Sequence, residues 1–178
     1  KKHWPVMRAV ANLVLQQLPS ATFVVPVANS VDPSLLSGLD VRFESDLLSA
    51  AIEADIALVA SGTATLEVAA VGTPMVVIYK TNSLNWWLGK RLITGVRHLA
   101  LTNIIADEMV SPEHLQQLDP TAICADLLSL LGPAGVRQKA RLEKVMLRFG
   151  ERGAATRAAT AVVELLPPID PTEVTTVP

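Results

Sequence analysis

Two short runs, Ile56 to Ala60 and Met75 to Tyr79, carry no charge and almost no polarity, and a tight turn and a helical stretch separate them. A strand that is apolar at every position, not at every second one, is buried on both faces. That happens when helices cover both sides of a parallel sheet. The rest of the chain keeps the same alternation. Apolar residues at Val6, Val10, Leu13, Val14 and Leu18 have helical spacing over Lys2 to Leu18, with Pro5 in a first turn where no amide donor is lost. Thr22 to Val27 and Val41 to Phe43 read as strands, with a loop from Asn29 to Gly38 between them. A helix follows from Asp46 to about Glu53, capped by Ser45 or Asp46. Ser83 to Ile93 reads as a helix and His98 to Leu101 as a strand. Beyond these the chain is expected to be helical over Pro112 to Leu118, Thr121 to Leu131, Val136 to Phe149 and Ala154 to Leu166. The fold class is therefore α/β, with a parallel sheet and C-terminal helices.

The turn between the two apolar runs is where chemistry is expected. Ser61-Gly62-Thr63 is a tight turn that ends one strand, and a short helix follows over Thr65 to Val71, closed by Gly72, with Glu67 about one turn into it. In an open parallel sheet, ligands bind beyond the carboxyl ends of the strands. A helix N-terminus there offers free amides and a positive dipole end, which suits phosphate. Gly62 lets the backbone approach closely, the hydroxyls of Ser61, Thr63 and Thr65 are candidate donors, and Glu67 is a candidate acceptor for ribose hydroxyls. The spacing is equally compatible with an ordinary strand-to-helix turn, in which a hydroxyl caps the helix and Glu67 is a solvated first-turn acid.

Composition narrows the classes. The chain has 178 residues, enough for one domain or one lobe with a helical tail. It is 50% apolar but only 4% aromatic, which favours buried strands and close-packed helices over a many-stranded sandwich. A formal charge of -2 argues against nucleic acid as a partner. The single cysteine, Cys124, excludes an internal disulfide, and its apolar surroundings make it a core thiol. His3, His98 and His114 lie far apart with no partner at a metal-ligand spacing, so neither a metal nor a cofactor is expected. No apolar run reaches the ~20 residues of a membrane-spanning helix.

The block Ser61-Gly-Thr-Ala-Thr-Leu-Glu67, followed by Gly72-Thr-Pro-Met-Val-Val-Ile-Tyr-Lys80, resembles the signature of lipid-A-disaccharide synthases. The likeness continues through Asn85 to Leu92, Leu101 to Ala106, Val110 to Glu113 and Gly150 to Leu166, and so covers nearly all of Lys1 to Leu166. It implies a Rossmann-like lobe of a two-lobed (GT-B) glycosyltransferase. It also implies a reaction: a UDP-linked diacylglucosamine donor gives its sugar to diacylglucosamine 1-phosphate, forming the lipid A disaccharide precursor and UDP. The nucleotide-sugar site implied comprises Ser61, Gly62, Thr63, Ala64, Thr65, Glu67 and Asn103. Glu67 takes the ribose role because the related glycosyltransferase of peptidoglycan synthesis places a Glu five residues before its own Gly-x-Pro. The enzyme implied works in the cytoplasm, peripheral on the inner face of the inner membrane.

Departures from that pattern matter. Thr102-Asn103 stands where the family has Pro-Asn, and Asp107-Glu108-Met109 replaces Gly-Arg-Glu, with loss of a positive charge. The family's Gly-Ser-Arg loop and its N-terminal lobe, with a carboxylate base, are expected upstream of Lys1, and the lobe's first, central strand with them. The catalytic base is therefore unassigned. Tyr79, Lys80, Trp86, Trp87, Lys90 and Arg91 form an apolar and cationic stretch. It reads either as a contact for the acceptor's acyl chains and the membrane surface or as ordinary packing of one Trp in the core and one over a helix. The expected organisation is a nucleotide-sugar-binding lobe over 1–131, C-terminal helices over 132–166 and a disordered tail over 167–178. Another UDP-sugar transferase or epimerase would share the phosphate turn without needing the Trp stretch. A non-catalytic nucleotide-binding module would bind UDP without transfer.

Overall fold

The structure is a computed structural model, and it describes residues 2–27, 36–82, 97–149 and 153–165. The chain divides into two compact units, Lys1–Arg148 and Phe149–Pro178. In the first, helix α1 (Trp4–Gln17) leads to β1 (Val24–Pro26), β2 (Arg42–Glu44) and α2 (Leu47–Glu53). Then come β3 (Ala57–Ala60), α3 (Ala64–Val71), β4 (Met75–Tyr79), α4 (Leu101–Ala106), β5 (Glu113–Leu115), α5 (Pro120–Ser129) and α6 (Pro133–Leu147). The second unit contributes one described helix, α7 (Ala154–Leu165).

All strand pairs are parallel. β3, β4 and β5 form one sheet in that order, and β1 pairs with β2 in another. β4 organises the interior. Met75, Val76, Val77 and Ile78 have no exposed surface, and alternate side chains enter different cores. Met75 and Val77 join Val59, Val68, Ala69, Leu142 and Val145. Val76 and Ile78 join Val10, Val14, Ile123, Cys124 and Leu127. The unbroken apolar run is thus explained by burial on both faces. Local chemistry sets the boundaries. The Asp46 carboxylate accepts the Ser49 amide at 2.8 Å to cap α2, and Asp119 accepts the Thr121 amide at 2.9 Å ahead of Pro120 in α5. Gly72 ends α3 in the left-handed conformation at φ 78°.

Two expectations are corrected. His98 to Leu101 is not a strand: residues 98–100 pair with no strand, and α4 starts at Leu101. Leu101, Ile104 and Ile105 already have helical spacing. Pro112 to Leu118 is not a helix: Glu113–Leu115 pairs with the free edge of β4 as β5. A three-residue strand has too few side chains to show its period, so the sheet edge decides. The first compact unit extends to Arg148, with Gln138, Leu142 and Val145 of α6 buried in it. The expected helix over 83–93 lies outside the described residues.

Candidate functional site

Ser61 continues the β3–β4 ladder for one more bond, its amide donating to the Ile78 carbonyl at 2.8 Å. The backbone then turns at Gly62, with φ 156°, and α3 begins. A Cβ built on Gly62 would meet no atom of the described residues within 4 Å, so among them the space above the turn is open. Within the turn, the Thr65 and Leu66 amides donate to the Gly62 and Thr63 carbonyls. The amides of Gly62, Thr63 and Ala64 have no acceptor among the described residues. Three amides without an acceptor among the described residues, at a helix N-terminus on the carboxyl edge of a parallel sheet, make this turn a candidate cradle for an anion.

The side chains divide the work differently from the expectation. The Thr65 hydroxyl is fully buried and donates to the Gly62 carbonyl at 2.7 Å, bracing the turn from inside. The Ser61 hydroxyl donates to the Leu99 carbonyl at 2.9 Å. A hydroxyl has one proton, so as placed neither donates to a phosphate. Thr63 is exposed and its hydroxyl makes no cap bond to α3, and Glu67 is exposed on the first turn of α3.

Asn103 lies elsewhere. It is completely buried; its Nδ2 donates to the Ser111 carbonyl, and its Oδ1 accepts the Val110 and Ser111 amides, each at 2.8 Å. The amide is spent on fastening α4 to the strand entry of β5, which leaves it nothing to offer a diphosphate. Asp107 ends α4 at φ 57°, in the left-handed position that the family fills with Gly, and Glu108 pairs with Arg141 at 3.2 Å. The carboxyl edge also brings Tyr79, half-buried, and Lys80, exposed, close to the start of α1. The Lys80 amide donates to His3 Nε2 at 3.0 Å, and burial holds His3 below the usual imidazole value, so that nitrogen stays an acceptor. Trp86, Trp87, Lys90 and Arg91 lie outside the described residues.

Sequence reasoning missed Glu113 and Gln116. Gln116 adopts φ 62°, uncommon for a residue other than glycine, and its side chain exchanges two hydrogen bonds with the Thr81 backbone at 3.1 Å each. It extends the β4–β5 ladder beyond its last backbone pair and fixes the segment after Lys80. No sequence signal marks a positive φ at a glutamine. A cavity of about 340 Å³ lined by Asp55, Thr73, Gly132 and Lys139 lies at the amino end of the strands, opposite the cradle. Ligands of such sheets bind at the other edge. No helix among the described residues is long and apolar enough to cross a membrane.

Parallel strands under two helical layers, with a strand-to-helix turn at the carboxyl edge, define a Rossmann-like α/β lobe. The family described as lipid-A-disaccharide synthetase matches residues 1–162. The lipid-A-disaccharide synthase of Syntrophus aciditrophicus (strain SB) is 35% identical over 173 residues, which is 91% of this chain and 45% of that protein. That of Geobacter sulfurreducens is 36% identical over 176 residues, covering 93% of this chain and 45% of the relative. That of Nitrosococcus oceani is 38% identical over 159 residues, 84% and 39% respectively. The chain belongs to the lipid-A-disaccharide synthase family, and it spans about 45% of the length of the first two of these relatives.

Proposed function

We propose that this chain is the nucleotide-sugar-binding lobe of an enzyme that transfers diacylglucosamine from its UDP-linked donor to diacylglucosamine 1-phosphate. The bond between the anomeric carbon and the UDP oxygen breaks, a bond to the acceptor's hydroxyl oxygen forms, and the hydroxyl proton passes to a base not assigned to any residue of this chain. The lobe's share is to hold the leaving UDP. The observation that carries this reading is the set of amides at Gly62, Thr63 and Ala64 that have no acceptor among the described residues, one helical turn from the exposed Glu67. The amides and the dipole of α3 stabilise the charge that develops on the diphosphate. Glu67 accepts the ribose hydroxyls, and Thr63 supplies a hydroxyl. Ser61 and Thr65 shape the cradle from behind. Tyr79 and Lys80, on the same edge, face the lipid acceptor at the cytoplasmic surface of the inner membrane, where the enzyme is peripheral.

Calorimetry with UDP on the full-length protein tests the reading. Glu67→Ala is expected to weaken UDP binding about tenfold or more, the usual loss for a charge-assisted hydrogen bond. Unchanged affinity removes Glu67, and with it the assigned orientation of the nucleotide.

A further inference from the structure

The Ser61 hydroxyl ends on a segment, His98 to Ala100, that belongs to no strand or helix. One side chain holds that segment. Glu113, the first residue of β5, lies in register with Val77 and through it with Val59, on the face covered by α3 and α4. Its side chain is only 4% exposed. One carboxylate oxygen accepts the amides of Leu99 at 3.0 Å and Ala100 at 2.8 Å. The other meets His98 Nδ1 at 2.9 Å. Leu99 is therefore a bridge: its amide is tied to Glu113, and its carbonyl takes the proton of Ser61.

A carboxylate this buried is costly unless donors meet it. An apolar residue would satisfy the Val59, Val77 and Ala100 neighbourhood more cheaply. What the carboxylate adds is directional: three donors fix the backbone of 98–100, and that backbone fixes Ser61. We propose that Glu113 is a positioning residue for the nucleotide-binding turn. Through Leu99 it keeps the Ser61 hydroxyl turned inward, so that the open face above Gly62 is lined by amides. Without that bond the backbone at Ser61 and Gly62 is no longer tied to the 98–100 segment, and the amides of the turn lose their alignment. The inference rests on reading that turn as the UDP site.

The test uses Glu113→Asp and Ser61→Ala, singly and together, in the full-length protein, with UDP affinity read by calorimetry and folding checked by thermal melting. Asp keeps the charge but withdraws the oxygens by about one bond length (~1.5 Å) from Leu99 and Ala100. Each single change is expected to weaken UDP binding by roughly three- to tenfold, and the double change no more than the worse single one, because both cut one chain of contacts. Losses that multiply, or a Glu113→Asp protein with wild-type affinity, overturn the proposal. Should Glu113→Asp fail to fold, Glu113→Gln decides. Its amide oxygen can accept both backbone amides, and its NH₂ can donate to the other His98 tautomer. Affinity within about twofold of wild type supports positioning by geometry, whereas a tenfold loss shows that the charge itself is needed and overturns it. Glu67→Ala is the control. If it is silent, the reading of the site falls; if it weakens UDP while Ser61 and Glu113 act independently, only this inference falls.

Discussion

The two sheets of the first unit differ in how their strands are supported. β4 has a bonded strand on each side and a helical layer on each face, and four of its five residues have no exposed surface. β1 and β2 have three residues each; Val24 and Val25 are half-buried, Pro26 is exposed, and Phe43 is 43% exposed. No strand among the described residues bonds the outer edge of β1 or of β3. Yet the halves share a core, since Phe23 beside β1 and Leu58 of β3 pack on the same cluster. The difference teaches where the lobe's rigidity resides. The half that carries the turn is built around a fully enclosed strand, and the other half is held by side-chain packing and short ladders.

If that is right, truncations should separate the halves sharply. Ile78→Ala in β4 is expected to cost about 3–4 kcal/mol, since the site is sealed on both faces and cannot collapse. Phe43→Ala in β2 should cost only about 1–1.5 kcal/mol of the same chemical-denaturation free energy, because 43% of that residue is already in water. Equal costs would erase the distinction. Gln138→Leu comes next. Gln138 is 4% exposed; its side chain pairs with the Met75 amide and carbonyl and also donates to the Val110 carbonyl. Leaving those groups unpaired in the interior should cost about 2–3 kcal/mol, and Gln138→Glu should not restore the loss, because it supplies no donor for the two carbonyls. At Gly72 the expected loss is smaller. Ala must adopt φ 78°, and its Cβ would lie 3.2 Å from the flexible Lys139 Cε, so about 1 kcal/mol is expected.

How much of this was legible in the sequence follows the same division. β3, β4 and the turn between them could be read because two-sided burial leaves an unbroken apolar run and the glycine marks the turn. β5 could not, because three residues, Glu113, His114 and Leu115, carry one polar contact to each side: His98 on one face and Asp126 on the other. Its strand character comes from the β4 edge, which is remote in sequence. The site was legible as a backbone trace and not as a set of hydroxyl roles. Which way the Ser61 and Thr65 protons point depends on Leu99 and on the Gly62 carbonyl. Asn103 shows the converse. Its residue type invites a ligand role, and only its three backbone partners reveal a fastening.

The smallest expected effect separates the halves by pH. Both carboxylates between β2 and α2 are held below their ordinary values. For Asp46 the cause is the Ser49 hydroxyl and amide; for Glu44 it is the Ser45 and Asp46 amides. A carboxyl whose folded value is depressed contributes stability that is fully present above its unfolded value and is lost as pH falls through the folded one. Both groups are at the surface, so water and salt screen the effect and the global loss is slight. It should be local instead. As pH falls below the ordinary carboxylate range, α2 loses the cap that accepts from Ser49. Amide exchange, corrected for intrinsic rates, should then accelerate in α2 and β2 before it accelerates in β4. Asp46→Asn keeps an acceptor at the cap without a titrating group and should remove the Asp46 share of that pH dependence while leaving the β4 amides unchanged. If β4 loosens at the same pH as α2, the two halves unfold as one body and the division of rigidity between them is wrong.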